Sequence, residues 1–405
     1  MCLFPARRHW MGVALLLFVG LLTAACTGAP LSPSWAGLSV VGDGQNILIA
    51  FNERLVLINP TNGRPVELRN EDNQVRVDEQ GNPRTWNIPA PDNNQTKFYA
   101  APVSLDAETM LVLTYTRKAF VIDARNGRID NPSGVDLAGH VISPPVIDGD
   151  RVYVGFTERN FAAYSLQSLA EGTGVVTPLW TFETDHGVWA SALLVEGVLY
   201  VPCMNHNLYA LDAETGTLLW TADLQGAITS TPVYLDGRLY IGTLNRRVYE
   251  VSVEDGIILS EFTTQDWVWG APVIAAGVLY IGDMAGNVYA LEISADGLVQ
   301  RWSARPATMG IRATPVVADG YVIVAARDTW VYWLNSSDGS PVLDSDGNPL
   351  KRQVGGEVLA DMLVIRPSET LDIPQPLLIV STMNNAELLV AFGIENGQRQ
   401  WVYGR

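Results

Sequence analysis

The 405-residue sequence is poor in the residues that form disulfides and metal centres. It contains three cysteines, Cys2, Cys26 and Cys203, and no two of them are adjacent. No Cys-x-x-Cys-His segment is present for haem attachment, and the four histidines show neither metal-ligand spacing nor a recognisable nucleophile–base set. These histidines are His9, His140, His186 and His206. The absences predict a fold held by packing, with Cys203 buried, no metal and no catalytic residues.

Basic residues are also scarce. The chain has 26 Lys and Arg against 43 Asp and Glu, which gives a formal net charge of -17. Phosphate binding needs a basic patch, so this balance argues against nucleic acid or an anionic membrane surface as partner, although a local patch remains compatible with the totals. Because 48% of the residues are hydrophobic, the chain can bury a large core.

The N-terminal segment has the pattern of a secretory signal. Arg7 and Arg8 precede an apolar run from Met11 to Leu22, which is too short to span a bilayer comfortably. Small residues follow this run. The pattern predicts that residues 1–25 are removed as a signal peptide, which places the mature protein outside the cytoplasm.

The residues around the predicted cleavage point favour a lipid anchor. Thr23-Ala24-Ala25-Cys26 resembles a bacterial lipobox, in which the cysteine becomes the lipidated first residue, although Thr23 stands where leucine is usual. We therefore predict lipidation of Cys26 and a tether over residues 26–34, with plain signal cleavage as the alternative. The predicted location is membrane-anchored, in the periplasm or at the cell surface.

The rest of the chain consists of repeats. Leu-Tyr followed by Val or Ile recurs with Tyr200, Tyr240 and Tyr280 at one phase, so the period is 40 residues. Each repeat has short apolar runs and ends in a turn that contains glycine. A period of about 40 residues with this pattern is typical of a β-propeller, in which one repeat forms one blade of four strands.

Eight copies of the repeat fit between Trp35 and Trp401. The sequence predicts an all-β chain in which residues 35–405 form a single propeller of eight blades, each with four antiparallel strands, and seven blades are the alternative. The clearest copies place Trp220, Phe262 and Trp302 near the outer strand. A monomer is expected.

Two polar insertions look like hairpins. One is closed by the turn Glu79-Gln80-Gly81-Asn82 and the other contains Asp344-Ser345-Asp346-Gly347-Asn348. The second resembles the start of a calcium loop, but the carboxylate expected at its far end is missing, so a hairpin turn is favoured over calcium binding.

The stretch Ala210-Leu211-Asp212-Ala213-Glu214-Thr215-Gly216-Thr217-Leu218-Leu219-Trp220 resembles the tryptophan-docking motif of the pyrroloquinoline-quinone-like repeat family. The resemblance extends over essentially the whole mature chain. This family includes quinoprotein dehydrogenases and non-enzymatic propellers. Among the non-enzymatic members, a lipid-anchored propeller such as the one predicted here is similar to the scaffold lipoprotein of the outer-membrane barrel-assembly machinery. This resemblance implies contact with other proteins through one face of the ring.

The dehydrogenases of the family imply features that this sequence lacks. They typically hold the quinone beneath a disulfide between adjacent cysteines and bind Ca²⁺ through carboxylates and an asparagine. No adjacent cysteines occur here. We therefore expect no cofactor and no enzymatic activity, and a pyrroloquinoline-quinone- and calcium-dependent dehydrogenase remains the less favoured alternative.

Alignment of the copies indicates one candidate binding surface. In each copy, we take the residue three positions before the proline of the first strand, or before the residue that stands in place of this proline. These residues should lie near one mouth of the central channel. These residues are Tyr99, Ile142, Trp189, Thr229, Trp269, Arg312 and Leu359. Their neighbours His186, Asp266 and Trp267 are expected to join them. Exposed aromatics with arginine are typical interface anchors, while the alternative is that Trp189 and Trp269 only plug the channel.

Two hypotheses follow for the function. The favoured one is a non-catalytic, lipid-anchored scaffold that presents the ring mouth to an envelope protein. The other is a propeller that binds a small molecule or a glycan between the mouth aromatics.

Overall fold

The computed structural model describes residues 35–42, 46–70, 72–90, 97–129 and 131–404. The predicted signal peptide and tether, including Cys26, lie outside the described residues. Eight antiparallel sheets of four strands, one of them joined by a fifth short strand, follow each other along the chain as the blades of a ring. The prediction of an all-β propeller with eight blades is therefore confirmed, and the seven-blade alternative is wrong.

The first four blades contain seventeen strands of the described residues. Blade 1 has β1 (Gly37–Val41), β2 (Asn46–Phe51), β3 (Arg54–Ile58) and β4 (Asn87–Pro89). Blade 2 has β5 (Val103–Ser104), β6 (Thr109–Leu113), β7 (Lys118–Asp123) and β8 (Val135–Asp136), extended by β12 (Gly174–Val175). Blade 3 has β9 (Val146–Asp148), β10 (Arg151–Gly155), β11 (Phe161–Ser165) and β13 (Trp180–Phe182). Blade 4 has β14 (Leu193–Val195), β15 (Val198–Pro202), β16 (Asn207–Asp212) and β17 (Leu218–Asp223).

The last four blades have four strands each and no exchange between blades. Blade 5 has β18 (Val233–Leu235), β19 (Arg238–Thr243), β20 (Arg247–Ser252) and β21 (Ile258–Thr263). Blade 6 has β22 (Val273–Ala275), β23 (Val278–Gly282), β24 (Val288–Ser294) and β25 (Gly297–Ala304). Blade 7 has β26 (Val316–Ala318), β27 (Tyr321–Ala325), β28 (Trp330–Asn335) and β29 (Lys351–Gln353). Blade 8 has β30 (Leu363–Ile365), β31 (Leu377–Ser381), β32 (Leu389–Gly393) and β33 (Arg399–Tyr403).

The core lies between neighbouring blades. The two middle strands of each blade are apolar on both faces, because each face packs against another blade. In one such layer, Tyr200 and Leu208 of blade 4 pack with Leu239 and Ile241 of blade 5. The outer strand is buried much less, as in β17, where alternate residues are exposed.

Within the described residues, tryptophans of the outer strands dock four of the eight blades on the next blade. Nε1 of Trp220 donates a hydrogen bond to the Val253 carbonyl of blade 5 at 2.9 Å, and the ring covers the turn at Gly256. The same bond recurs in three further pairs. They are Trp180 to Ala213, Trp302 to Ser336 and Trp401 to Pro60. The last pair joins blade 8 to blade 1 and closes the ring.

Blade 5 departs from this pattern, because Phe262 lies in the outer strand, as predicted, but pairs with Val248 and does not occupy the docking position. The position that pairs across the sheet as Trp220 does with Ala210 is Ser260, which faces Glu250. The Glu250 carboxylate is fully buried and accepts hydrogen bonds from Arg238 and from Ser260 Oγ. Charge and hydroxyl groups therefore fill the space that an indole fills elsewhere.

The two insertions are hairpins, as predicted. Asp78 and Asp344 each cap their own turn, since the Asp344 Oδ1 accepts bonds from the N–H groups of Asp346 and Asn348 at 3.0 and 2.9 Å. This use of the carboxylate explains the likeness to a calcium loop. The sequence did not predict the short helix α1 (Leu166–Glu171) in blade 3. Within the part of the chain that is described, no helix is long and apolar enough to cross a membrane.

Candidate functional site

A cavity of about 320 Å³ lies where the segments that lead into the innermost strands converge. All eight blades contribute to its wall. The lining includes all seven positions that the repeat alignment selected, and Trp35 is the eighth member of that set: Trp35, Tyr99, Ile142, Trp189, Thr229, Trp269, Arg312 and Leu359. Trp35 was not predicted from the sequence, although Trp35-Ala36-Gly37 repeats the pattern of Trp189-Ala190-Ser191.

Hydrogen bonds between blades hold these segments in place. Ser191 Oγ donates to the Pro144 carbonyl at 2.7 Å, and Thr231 Oγ1 donates to the Ser191 carbonyl at 3.0 Å. Thr229 Oγ1 donates to the Trp269 carbonyl at 3.0 Å. Because donor and acceptor belong to adjacent blades, the cavity wall is fixed by the ring itself.

Among the described residues that line the cavity, Arg312 is the only basic one. Its guanidinium carbon lies 4.4 Å from the centre of the Trp269 ring and 4.8 Å from that of Trp35. Burial, together with the charge of Arg327, lowers the pKa of Arg312 to about 10, and Asp361 opposes this shift. Arg312 therefore stays charged at neutral pH and is stabilised by two aromatic faces.

A run of aromatic contacts continues from Trp35. The ring of Tyr99 lies 5.0 Å from Trp35 and 5.3 Å from Tyr115, and Tyr115 lies 4.7 Å from His140. His140 contacts the Glu158 carboxylate. Burial raises the pKa of Tyr99 to about 12, so its hydroxyl remains a donor at neutral pH.

The cavity wall also contains the polar groups of Tyr99, Ser230 and Asp361. The hydroxyls of Tyr99 and Ser230 are buried and have no hydrogen-bond partner among the described residues. Asp361 also lines the cavity, and its Oδ1 accepts the backbone N–H of Thr314 at 2.6 Å. No ion pair joins Asp361 to Arg312 within the described residues. The sequence analysis singled out neither Ser230 nor Asp361, because a small polar residue before an inner strand carries no distinctive signal.

The structure separates the other predicted site residues from the cavity. His186 is exposed, and its carbonyl accepts a bond from Thr184 Oγ1. Trp267 is 52% exposed, and Asp266 Oδ1 accepts its N–H at 2.8 Å. His186, Asp266 and Trp267 lie on the loops near the cavity but are absent from its wall.

Trp267 belongs to an apolar surface beside the cavity. Its carbonyl accepts the N–H of Met284 at 2.9 Å, and the Met284 thioether packs against Gly310. Met309, the residue before Gly310, is 43% exposed. We call the loops that lead into the inner strands, with the turns that contact them, the mouth face.

The described residues do not supply the features that the quinone cofactor of the repeat family needs. No group of three or more His, Cys, Asp or Glu side chains in these ranges is placed to hold a metal ion. Cys203 is buried in the layer between blades 3 and 4, away from the cavity wall. The cavity thus offers aromatic faces and one cation, without a calcium set or a thiol clamp.

Comparisons with known proteins agree with this architecture. The crystal structure of BamB from Moraxella catarrhalis matches with a TM-score of 0.59 at 15% identity, covering 85% of this chain and 92% of that one. The computationally designed Ika8 protein matches with a TM-score of 0.61 at 12% identity, covering 86% of this chain and 94% of the designed one. At these identities the likeness concerns the fold alone. No curated protein matches in sequence.

The family assignment comes from the sequence of the blades. The profile of the family described as outer membrane protein assembly factor BamB matches residues 162–265 and 259–403. The two segments together span more than half of the chain and include blades 4 to 8 with the docking tryptophans Trp220, Trp302 and Trp401. This chain is therefore a member of the BamB family of β-propellers built from pyrroloquinoline-quinone-like repeats.

Proposed function

We propose that the protein is a non-catalytic scaffold of the cell envelope, anchored by a lipid on Cys26, whose mouth face docks a protein of the envelope assembly machinery. The observation that carries the proposal is the apolar surface of Trp267 and Met309 on that face. An exposed tryptophan is a frequent hot spot, and methionine adapts its shape to a partner. Membership of the BamB family supports an envelope role.

Site-specific photo-crosslinking in the intact cell envelope tests the docking surface. A photoreactive amino acid at Trp267 or at Met309 should crosslink to a constituent of the assembly machinery, identified by mass spectrometry. Ile257 is the matched control, because it is 58% exposed and lies at the opposite end of its blade, between β20 and β21. Equal crosslinking from Ile257, or none from the mouth face, would contradict the proposal.

The anchor is tested separately. Metabolic labelling with a palmitate analogue should mark the wild-type chain and should fail for Cys26→Ala, which should leave the membrane fraction. Cys203→Ala is the control, because Cys203 is buried and cannot accept the lipid. Labelling that persists in Cys26→Ala would show that the lipid is elsewhere.

A second candidate function, the binding of a small ligand, is favoured by the cavity itself. Its wall contains Trp35, Tyr99, Trp189 and Trp269, and the three tryptophans are only partly buried. A volume of about 320 Å³ falls at the lower end of the range usual for ligand sites. The melting temperature of the protein, measured with each member of a panel of aromatic and sugar ligands, tests this candidate. A ligand that binds the native state raises the melting temperature.

A further inference from the structure

The Arg312 guanidinium has five N–H donors and uses none of them within the described residues. No carboxylate, carbonyl or hydroxyl of those residues accepts a hydrogen bond from it or forms an ion pair with it. Its close contacts are the rings of Trp269 and Trp35. A half-buried charge is normally paired, because leaving water costs free energy that hydrogen bonds must recover. Two aromatic faces recover part of that cost and leave the N–H groups available.

Other arginines show the contrast. Arg327, on the neighbouring turn, forms an ion pair with Glu357 at 2.9 Å. Arg399 pairs with Glu387 at 2.9 Å. Arg312 is unlike both, although Asp361 lines the same cavity. The Asp361 carboxylate instead accepts a hydrogen bond from the backbone N–H of Thr314.

The groups around Arg312 define the chemistry of a ligand. Tyr99 and Ser230 add two buried hydroxyls without partners, and both line the cavity. Hydrogen-bond donors that converge in a pocket with aromatic walls favour a particular kind of ligand. Such a ligand has an apolar body and carries a group with several acceptor oxygens. The fork of a guanidinium matches the two oxygens of a carboxylate.

We propose that the central cavity binds a carboxylate-bearing ligand, with Arg312 holding the carboxylate and Trp35 and Trp269 contacting its apolar body. This proposal deepens the second candidate function and does not depend on docking at Trp267 and Met309. Two sources can supply the group: a free aromatic carboxylate or the C-terminal carboxylate of a peptide. Retention of an unpaired arginine whose burial costs stability is consistent with a binding role.

Calorimetric titration of the full chain in detergent tests the proposal, with naphthalene-2-carboxylate and its neutral amide as probes. The carboxylate should bind at least tenfold more tightly than the amide, because hydrogen bonds to a charged group are stronger than those between neutral groups. Arg312→Gln should remove this preference, and Arg312→Lys should keep only part of it because the ammonium lacks the planar fork. A peptide with a free C-terminus and its amidated form make up the second arm.

Matched variants separate the cavity from the surface. Arg305→Gln removes an exposed arginine that lies outside the cavity wall, so it should not change carboxylate affinity. Asp361→Asn should tighten binding, because it removes a negative charge from the wall and retains the acceptor for Thr314.

The outcomes decide the proposal independently of the scaffold function. Carboxylate binding that depends on Arg312 supports the proposal, whether the free acid, the peptide or both bind. The arm of the experiment in which binding is observed identifies the source of the carboxylate. Equal affinity for acid and amide, no binding at millimolar concentration, or equal losses in Arg312→Gln and Arg305→Gln would overturn it. A single cooperative thermal transition in each variant verifies that it is folded. Crosslinking at Trp267 could still succeed in that case.

Discussion

Nε1 of Trp401 donates a hydrogen bond to the Pro60 carbonyl at 2.7 Å, and the two residues are 341 positions apart in the chain. The Trp401 ring covers the turn at Gly63, where an added Cβ would lie 2.5 Å from it. Blade 8 thus docks on blade 1 with the same contact that joins blades 3 and 4. Because each blade here keeps its own four strands, ring closure rests on side-chain packing between the first and last blades.

We predict that Trp401→Phe lowers the free energy of unfolding by about 1–2 kcal/mol, since it deletes one hydrogen bond and part of a buried ring. Trp401→Ala should cost about 3–5 kcal/mol. Urea unfolding followed by circular dichroism measures both. Trp267→Phe, at an exposed tryptophan, is the control and should change the midpoint little. Equal effects at the two positions would mean that the docking contact does not hold the ring closed.

A second prediction concerns the docking turns. Gly216 has φ +72° and a Cβ there would lie 2.5 Å from the Trp180 ring, whereas Gly237 has φ +76° and open space around it. Gly237→Ala should cost about 1 kcal/mol for the left-handed backbone alone. Gly216→Ala should cost about 2 kcal/mol more, because the tryptophan must move. Similar melting temperatures for the two variants would show that the indole contact adds nothing.

Blade 5 offers a test by exchange. Glu250→Ala should destabilise the protein by about 3–5 kcal/mol, because Arg238, Tyr240 and Ser260 lose their buried partner. Adding Ser260→Trp to that variant rebuilds the pair that Ala210 and Trp220 form in blade 4 and should restore most of the stability.

The single variant Ser260→Trp is the control for this exchange. With Glu250 still present there is no room for an indole, so it should be destabilising alone. Denaturant unfolding of the three variants gives the coupling energy between the two positions. Strictly additive effects would contradict the interpretation that Glu250 and Ser260 replace one docking tryptophan.

Arg312 should limit stability rather than contribute to it. Burial lowers its pKa from the usual value for arginine to about 10 in the folded protein. The native state therefore disfavours the charged form, and this cost is fully present below pH 10 and is relieved as the pH rises above that value. Arg312→Gln should consequently melt on the order of 2 °C higher at pH 7. A lower melting temperature would indicate that the two aromatic contacts outweigh the burial cost.

Cys203 should be unreactive in the folded protein. It is fully buried, its thiol donates to the His186 carbonyl at 3.3 Å, and burial raises its pKa. In a chain whose Cys2 and Cys26 are replaced by serine, iodoacetamide should label Cys203 only after denaturation. Thr221→Cys, at an exposed strand position, should label at once. Rapid labelling of native Cys203 would mean that the layer between blades 3 and 4 opens.

The sequence alone favoured eight blades over seven and located the ring of positions that line the cavity. Both follow from local regularity: the repeat fixes the strands, and equal spacing from each inner strand places Tyr99, Trp189, Trp269 and Arg312 at equivalent points. Trp35 was equally accessible to this argument, because it repeats the Trp-Ala pattern before the first inner strand.

Only the tertiary structure decided which of these positions touch. Arg312 of blade 7 reaches Trp35 of blade 1 across Leu359 of blade 8, which depends on the diameter of the ring and the lengths of the side chains. The tertiary structure also decided that Glu250 and Ser260 replace an indole in blade 5. A bulge in the outer strand determines which residue faces Glu250 across the sheet. A repeat period specifies how each blade folds, and the closed ring determines which blades share a contact.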